Sequence, residues 1–132
     1  MTRNSNVIES FKGLVGNKNV ITNKWGKEPF ITGWRYGKGE ALAVVKPGTL
    51  LEMWQVLKIC VKNDVSVIMQ AANTGLTGGS TPFGNDYDRP VVIINTLRIT
   101  SIHLIKNAEQ IIALPGSSLY DLETKLKPLN KE

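Results

Sequence analysis

One stretch of the chain, AANTGLTGGSTPFG at residues 71–84, combines glycine with short polar side chains and offers almost nothing to pack in a core. Glycines leave neighbouring backbone N–H groups open to a ligand, and amide and hydroxyl side chains add further hydrogen bonds. The residues concerned are Asn73, Thr74, Gly75, Thr77, Gly78, Gly79, Ser80 and Thr81. Such a surface suits the oxygen atoms of a phosphate group.

The spacing argues against two common phosphate-binding loops. A Walker A loop ends in Gly-Lys-Ser/Thr because the lysine neutralises a triphosphate, and no lysine occurs between Asp64 and Asn95. A Rossmann loop has Gly-x-Gly-x-x-Gly opening into a helix, whereas a strand pattern follows here. An extended loop that holds a diphosphate by amides and hydroxyls is left. The alternative, a glycine-rich connection that only turns a corner, stays open at this point.

The sequence before the loop predicts a strand, a helix and a second strand. ALAVVKP and SVIMQ are short apolar runs typical of buried strands, and a Thr49–Glu52 capping box opens a helix that continues to Asn63. The apolar face expected for this helix consists of Leu50, Met53, Trp54, Leu57, Cys60 and Val61. A crossover of this kind predicts that the two strands are parallel neighbours, with the loop at the end of the second.

Further strands and a final helix are predicted after the loop. VVIIN, RITSIHLI and EQIIALP are expected to be strands, the last two forming an antiparallel pair across residues 106–107. A Ser118–Asp121 capping box opens a helix that runs through Leu126 and is ended by Pro128. The predicted fold class is α+β: a small mixed sheet of four or five strands, with a parallel strand–helix–strand unit and flanking helices on one side.

The first 40 residues are expected to form a leading helix and an irregular basic arm, with residues 41–132 forming a separate lobe. Apolar residues at helical spacing predict the helix, Asn4 or Ser5 could cap it, and Gly16 ends it. These apolar residues are Val7, Ile8, Phe11, Leu14 and Val15. The arm, residues 21–40, carries aromatic side chains expected to pack in a core or an interface: Trp25, Phe30, Trp34 and Tyr36.

Composition limits the function classes. The 132 residues are 42% hydrophobic, which is enough for one domain, and no apolar run is long enough to span a bilayer. Cys60 is the single cysteine, so neither an internal disulfide nor a cysteine-based metal site is expected. The net charge of +5 lies in residues 1–46, which hold eight Lys or Arg and three Glu. No aromatic and basic platform accompanies this charge, so a nucleic-acid partner is not expected.

The order of these elements resembles the first half of the FAD-binding domain of flavoproteins of the vanillyl-alcohol oxidase and p-cresol methylhydroxylase type. Within that type, QAANTGLTGGSTPFGNDYDRPVVIINTLRI is most similar to the bacterial respiratory, quinone-linked D-lactate dehydrogenases. The resemblance implies that the loop wraps the FAD pyrophosphate. The contacts it implies are Ala71, Ala72, Asn73, Thr74, Gly75, Gly79 and Ser80.

Departures from the family pattern refine this expectation. Many relatives begin the loop with Arg or Lys and glycines, whereas Ala71, Ala72 and Asn73 stand here, so a direct contact of a loop cation with the phosphates is not expected. Relatives that attach flavin covalently use a His or a Cys, and the loop has neither, so FAD is expected to be non-covalent. His103 and Cys60 follow strand and helix periodicity and are expected in the core. No metal ligand is expected.

For the parent enzyme, the resemblance implies oxidation of D-lactate to pyruvate and electron transfer to quinone. It implies a protein in the cytoplasm or held peripherally on the cytoplasmic face of the inner membrane. The chain is expected to be an N-terminal piece lacking the second lobe and the substrate domain, so the catalytic residues are unknown and the piece alone inactive. An exposed lobe interface would favour self-association. The alternative is a stand-alone nucleotide- or anion-binding module without catalysis.

Overall fold

The computed structural model describes residues 2–130, which form four helices and six strands. The helices are α1 (Arg3–Val15), α2 (Lys24–Ile31), α3 (Leu50–Lys62) and α4 (Leu119–Leu126). The strands are β1 (Val20–Ile21), β2 (Ala43–Val45), β3 (Ser66–Gln70), β4 (Val91–Asn95), β5 (Ile102–Ile105) and β6 (Gln110–Ala113). Short 3₁₀ turns lie at Asn17–Asn19 and Lys127–Leu129. The predicted α+β class is confirmed.

The main sheet has four strands in the order β1-β2-β4-β3. Strands β2 and β3 are each parallel to β4, and β1 is antiparallel to β2. The two strands of the crossover unit are therefore parallel, as predicted, but they are not neighbours, because β4 lies between them. All five residues of β4 are buried, whereas β3 is mostly half-buried. The two fully buried strands, β2 and β4, occupy the inner positions, and β3 takes an edge.

Side chains alternate between the two faces of this sheet, and both faces are covered. Helices α1 and α3 pack on one face around Phe11 and Cys60, against residues such as Val45 and Ile94. On the other face Val44 and Ile93 pack with Ile31 and Phe30 of α2. Helices were expected on one side only, and α2 corrects that expectation. The β-branched runs of β2 and β4 allow this because both of their faces are apolar.

Helix α2 lies within residues 21–40, which were predicted to be irregular. The Asn23 side chain caps the helix by accepting a hydrogen bond from the Gly26 N–H at 2.7 Å. Gly26 and Pro29 break the periodicity that would reveal a helix in the sequence. Packing of Ile31 against the sheet, rather than intrinsic propensity, accounts for this element.

Helix α1 begins earlier than predicted and ends as predicted. The Thr2 side chain caps it by accepting from the Ser5 N–H, so the prediction of Asn4 or Ser5 as cap is wrong. Gly16 follows the last turn with φ +84°, and its N–H donates to Lys12 O. Thr49 caps α3 as predicted and accepts from the Glu52 N–H. The Glu52 carboxylate reaches back to the Gly48 N–H at 2.6 Å.

The buried face of α3 is rotated from the predicted one. Val56 and Cys60 are fully buried, and partly buried Met53, Leu57 and Ile59 pack against the same core. The other predicted members are exposed: Leu50 by 47%, Trp54 by 53% and Val61 by 81%. The Lys58 ammonium lies 4.4 Å from the Trp54 ring centroid, which gives this ring a partner on the outer face.

Strands β5 and β6 form the predicted antiparallel hairpin as a separate two-stranded sheet. Every residue of β6 is exposed, and so is His103 of β5, which corrects its predicted core position. A two-stranded ribbon can bury only the face that packs on other elements, and His103 lies on the opposite one. Helix α4 carries the predicted Ser118–Asp121 capping box and ends at Leu126 as predicted. No helix within residues 2–130 has the length and apolar character needed to cross a membrane.

Cys60 is fully buried, as predicted, and burial raises the pKa of its thiol from 9.0 to about 11. An acid whose pKa is raised on folding keeps its proton in the folded state while the unfolded chain loses it. We therefore expect the free energy of unfolding to fall as pH rises from about 9 to about 11, with Cys60 accounting for up to about 2–3 kcal/mol.

Urea denaturation at a series of pH values measures this slope. The matched variant is Cys60→Ala, which removes the thiol and leaves the other groups that titrate above pH 9. The difference between the two pH profiles isolates Cys60. Parallel profiles between pH 8 and 11 would contradict the prediction.

Candidate cofactor-binding loop

The glycine-rich loop, defined here as residues 71–84, begins at the carboxyl end of β3. The neighbouring strand β4 ends at the same edge because the two strands are parallel, with Gln70 opposite Asn95. Most of the loop is exposed, and no charged residue occurs between Asp64 and Asp86. Carboxyl ends of parallel strands are where ligands usually bind in such sheets.

Two buried polar side chains at this edge hold both ends of the loop. The Gln70 Nε2 atom donates to Phe30 O and to Ser80 O, each at 2.8 Å. The Asn95 Nδ2 atom donates to Ala71 O at 2.9 Å. Neither residue was predicted as part of the site, although each is a polar residue that ends an apolar run, SVIMQ or VVIIN, and that pattern is a signal for both.

Asn73 fixes the middle of the loop. Its Nδ2 atom donates to Thr32 O at 2.9 Å and, more weakly, to Pro29 O at 3.3 Å. Its Oδ1 atom accepts from Ser80 Oγ at 3.1 Å and Thr81 Oγ1 at 3.0 Å. Its backbone is left-handed, with φ +56°. Across residues 2–130, every buried side-chain N or O atom has a hydrogen-bond partner, so this network is closed.

These bonds change the assignment of the polar side chains. Asn73, Ser80 and Thr81 were predicted to offer their side chains to a ligand, but they bond to one another and to residues 29–32. Thr74 and Thr77 are exposed, and neither hydroxyl has a partner within residues 2–130. The side chains mostly shape the loop, which leaves its backbone to meet a ligand.

The backbone N–H groups from Ala72 to Ser80 are the donors that the loop leaves unused. Within the described part of the chain, none of them donates a hydrogen bond to another protein group, and the next donor is the Thr81 N–H, which bonds to Gly78 O. A Cβ built on Gly75 would lie 3.9 Å from Ser80 Oγ, and one on Gly79 would lie 4.0 Å from Thr77 Oγ1. The fold has room for side chains at both positions, so its packing does not require glycine there.

A second segment lies against the loop. Residues 32–38, named here the 32–38 hairpin, are closed by the Gly33 N–H donating to Gly37 O at 2.8 Å and by a bridge between Thr32 and Lys38. Gly39 follows and bridges to Gly84 of the loop. A Cβ on Gly78 would lie 3.3 Å from Tyr36 O, so the hairpin and loop backbones are in close contact.

The four aromatic side chains of residues 21–40 were predicted to pack in a core or an interface, and three of them are exposed instead. Phe30 packs against the sheet, but Trp25 is 86% exposed, Trp34 79% and Tyr36 59%. The hairpin uses backbone bonds and glycine contacts to hold its position, so its side chains point away from the core. Of these side chains, that of Tyr36 begins beside the loop, because its Cβ would lie 3.7 Å from a Cβ on Gly78.

Comparison with known proteins identifies the family. Residues 41–131 match the family described as FAD binding domain. Over 126 residues the chain is 56% identical to the quinone-dependent D-lactate dehydrogenase of Haemophilus influenzae. This alignment covers 96% of the chain and 22% of the relative. The protein of the same name from Escherichia coli is 52% identical over 131 residues, covering 99% of this chain and 23% of that protein. The chain thus spans less than a quarter of these relatives' length.

The fold comparison agrees. The crystal structure of p-cresol methylhydroxylase with substrate bound superposes with a TM-score of 0.78, over 97% of this chain and 25% of that one, at 18% identity. That likeness confirms the predicted p-cresol methylhydroxylase type of fold. Because the family match extends over more than half of the residues, the chain belongs to the FAD binding domain family, and its cofactor is FAD.

Proposed function

We propose that the glycine-rich loop holds the diphosphate of FAD through its backbone amides, in the first segment of a quinone-dependent D-lactate dehydrogenase. The contacts proposed are those of Ala71, Ala72, Asn73, Thr74, Gly75, Gly79 and Ser80. The enzyme would oxidise D-lactate to pyruvate and pass the electrons to quinone. The identity of 52–56% to two enzymes of that name supports this assignment.

The unbonded amides from Ala72 to Ser80 are the observation that carries the proposal. An exposed amide bonds to water at no great cost, but a row of them held in one place is a ready-made anion site. Gln70, Asn95 and Asn73 fix the loop before any ligand arrives, so little ordering would be needed on binding. The loop brings no negative charge to repel a diphosphate.

In this proposal, bound FAD supplies the electron acceptor for the oxidation, while this chain's residues hold and orient its phosphate end. Catalytic residues are not assigned to the chain. We also propose that the enzyme is cytoplasmic or lies peripherally on the cytoplasmic face of the inner membrane, and that the chain divides into residues 1–40 and 41–132.

Several apolar side chains near the end of the described chain are exposed, which suits a surface that other polypeptide covers. Ile112 of β6 is 53% exposed, Leu119 and Tyr120 of α4 are 70% and 76% exposed, and no residue of α4 is buried. We assign this surface to further polypeptide of the same enzyme, as the 22% coverage of the relative implies. Where that polypeptide is missing, self-association through the same surface is proposed.

Replacing Gly75 by alanine tests the loop directly. The Cβ has room within the fold, so we expect the free energy of unfolding to change by less than about 0.5 kcal/mol. The same methyl group would stand between the amides and an anion. We expect the Kd for FAD to rise at least about tenfold, which corresponds to the loss of about 1.4 kcal/mol of binding free energy.

Flavin fluorescence titration of the apoprotein of the complete polypeptide measures this Kd, and urea denaturation measures stability. The matched control is Gly13→Ala, the same chemical change on α1, where no atom lies within 4 Å of the new Cβ. The control should bind FAD as the unaltered protein does. Equal Kd values for Gly75→Ala and the control would remove the loop from the FAD site.

A further inference from the structure

The glycine-rich loop lacks a cation that could match the charge of a diphosphate. No Lys or Arg occurs between Lys62 and Arg89, and Arg89 is engaged elsewhere, with Asp64 at 2.9 Å and Asp88 at 2.8 Å. Amides supply partial positive charge, but a charged donor forms stronger and shorter bonds to phosphate oxygens. A cation near the loop therefore has to come from another segment.

The 32–38 hairpin is the segment that the fold fastens to the loop. Asn73 Nδ2 bonds to Thr32 O, the Gly84 N–H donates to Lys38 O at 2.9 Å, and the Glu40 N–H donates to Gly84 O at 2.9 Å. A Cβ on Gly78 would lie 3.3 Å from Tyr36 O, so the backbones of these two residues are close together. The tip of the hairpin, Trp34 to Tyr36, is thus placed beside the loop, and its side chains are exposed.

Two cations belong to this hairpin, and only one is available. Lys38 pairs with Glu28 at 2.7 Å, and this ion pair raises the pKa of Lys38 and lowers that of Glu28. Arg35 has no carboxylate partner and no side-chain hydrogen bond within residues 2–130. Its guanidinium carbon lies 5.5 Å from the centroid of the Tyr36 ring, so the charged group lies over a residue whose carbonyl oxygen would be 3.3 Å from a Cβ on Gly78.

We propose that Arg35 is the positive partner of the FAD diphosphate, supplied from the 32–38 hairpin because the loop itself carries no cation. This rests on the proposed function of the loop. Arginine offers two parallel N–H donors that match a phosphate, and stacking on Tyr36 limits the side-chain freedom lost on binding. Arg35 is in this view a binding residue, and the loop amides and the guanidinium approach the diphosphate from two segments.

The test is flavin titration of the complete polypeptide with two ligands, FAD and riboflavin, of which only FAD has phosphates. We expect Arg35→Gln to raise the Kd for FAD about tenfold at low salt and to leave the Kd for riboflavin unchanged. Added salt should narrow the difference, since it screens the charge in the unaltered protein. Arg35→Lys, which keeps the charge but not the paired donors, should fall between.

The matched control is Lys62→Gln, which removes one positive charge at the end of α3 where the chain enters β3, at the opposite end of that strand from the loop. It should bind FAD as the unaltered protein does. Three results would overturn the proposal: an unchanged Kd for FAD in Arg35→Gln, an equal rise with riboflavin, or an equal rise in Lys62→Gln. If the unaltered protein binds no FAD, or Gly75→Ala binds it fully, the loop assignment fails instead.

Discussion

Replacing Asn73 by alanine is expected to lower the free energy of unfolding by about 2–3 kcal/mol and to weaken FAD binding by more than about a hundredfold. The change removes both acceptor bonds from the Ser80 and Thr81 hydroxyls and the donor bond to Thr32 O. It also places a Cβ-bearing residue without a local hydrogen bond at φ +56°. The loop amides would then lose their fixed arrangement.

Two measurements and a second variant separate the causes. Urea denaturation reports stability, and FAD titration reports the site. Glycine adopts the left-handed backbone readily but lacks the side-chain bonds. Asn73→Gly should therefore be free of the backbone strain of Asn73→Ala and should recover little of the FAD affinity. If Asn73→Ala binds FAD within threefold of the unaltered protein, the side-chain network does not position the site.

Replacing Gly39 by alanine is the second large effect expected. A Cβ there would lie 2.5 Å from Gly84 O, 2.7 Å from Pro82 C and 2.8 Å from Phe83 N. All three are backbone atoms, which cannot swing aside as a flexible side chain can. The bridge between residue 39 and the loop would have to open, and we expect a loss of about 2–3 kcal/mol of stability together with weaker FAD binding.

Gly13→Ala is the matched comparison for stability. No atom lies within 4 Å of its new Cβ, and alanine is the better helix former, so this variant should gain about 0.5–1 kcal/mol. If Gly13→Ala raises the free energy of unfolding and Gly39→Ala lowers it, then close contact, rather than the loss of a glycine as such, sets the cost at residue 39. A thermal midpoint for Gly39→Ala equal to that of the unaltered protein would contradict the close packing of the two segments.

Local signals in the sequence were enough to predict most elements of the fold. The Thr49 and Ser118 caps, the stop at Gly16 and the short apolar runs of β2, β3 and β4 depend on neighbours a few residues apart. Strand order does not. Placing β4 between β2 and β3 depends on which strand gains most from burial on all sides, and that comparison involves the whole sheet.

The wrong predictions for α2 and for the buried face of α3 share a physical cause. In both, tertiary packing selected one of several local structures that the sequence allows. Helix α2 forms despite Pro29 because Ile31 and Phe30 cover a sheet face. The buried stripe of α3 passes through Val56 rather than Trp54. In both cases the sequence offered more than one apolar arrangement, and contacts with distant strands selected the one observed.

The site shows the same division. The place of the glycine-rich loop directly after β3 followed from the sequence, because the apolar run SVIMQ ends where the glycines begin. The inward direction of Asn73, Ser80 and Thr81 did not follow, since it depends on carbonyl groups some 40 residues away in the chain. Gln70 and Asn95 were not predicted, because a single polar residue at the end of an apolar strand does not reveal which carbonyl groups it will bond.

The absence of ionisable side chains between Asp64 and Asp86 has a bearing on how the coenzyme would be retained in the proposed site. Main-chain amides neither gain nor lose protons anywhere in the physiological range. The strength of hydrogen bonds that these amides would donate to the diphosphate therefore stays the same when the solution becomes more acidic or more alkaline. Proton uptake and release at the far end of a bound coenzyme would then leave its anchorage undisturbed from one turnover to the next.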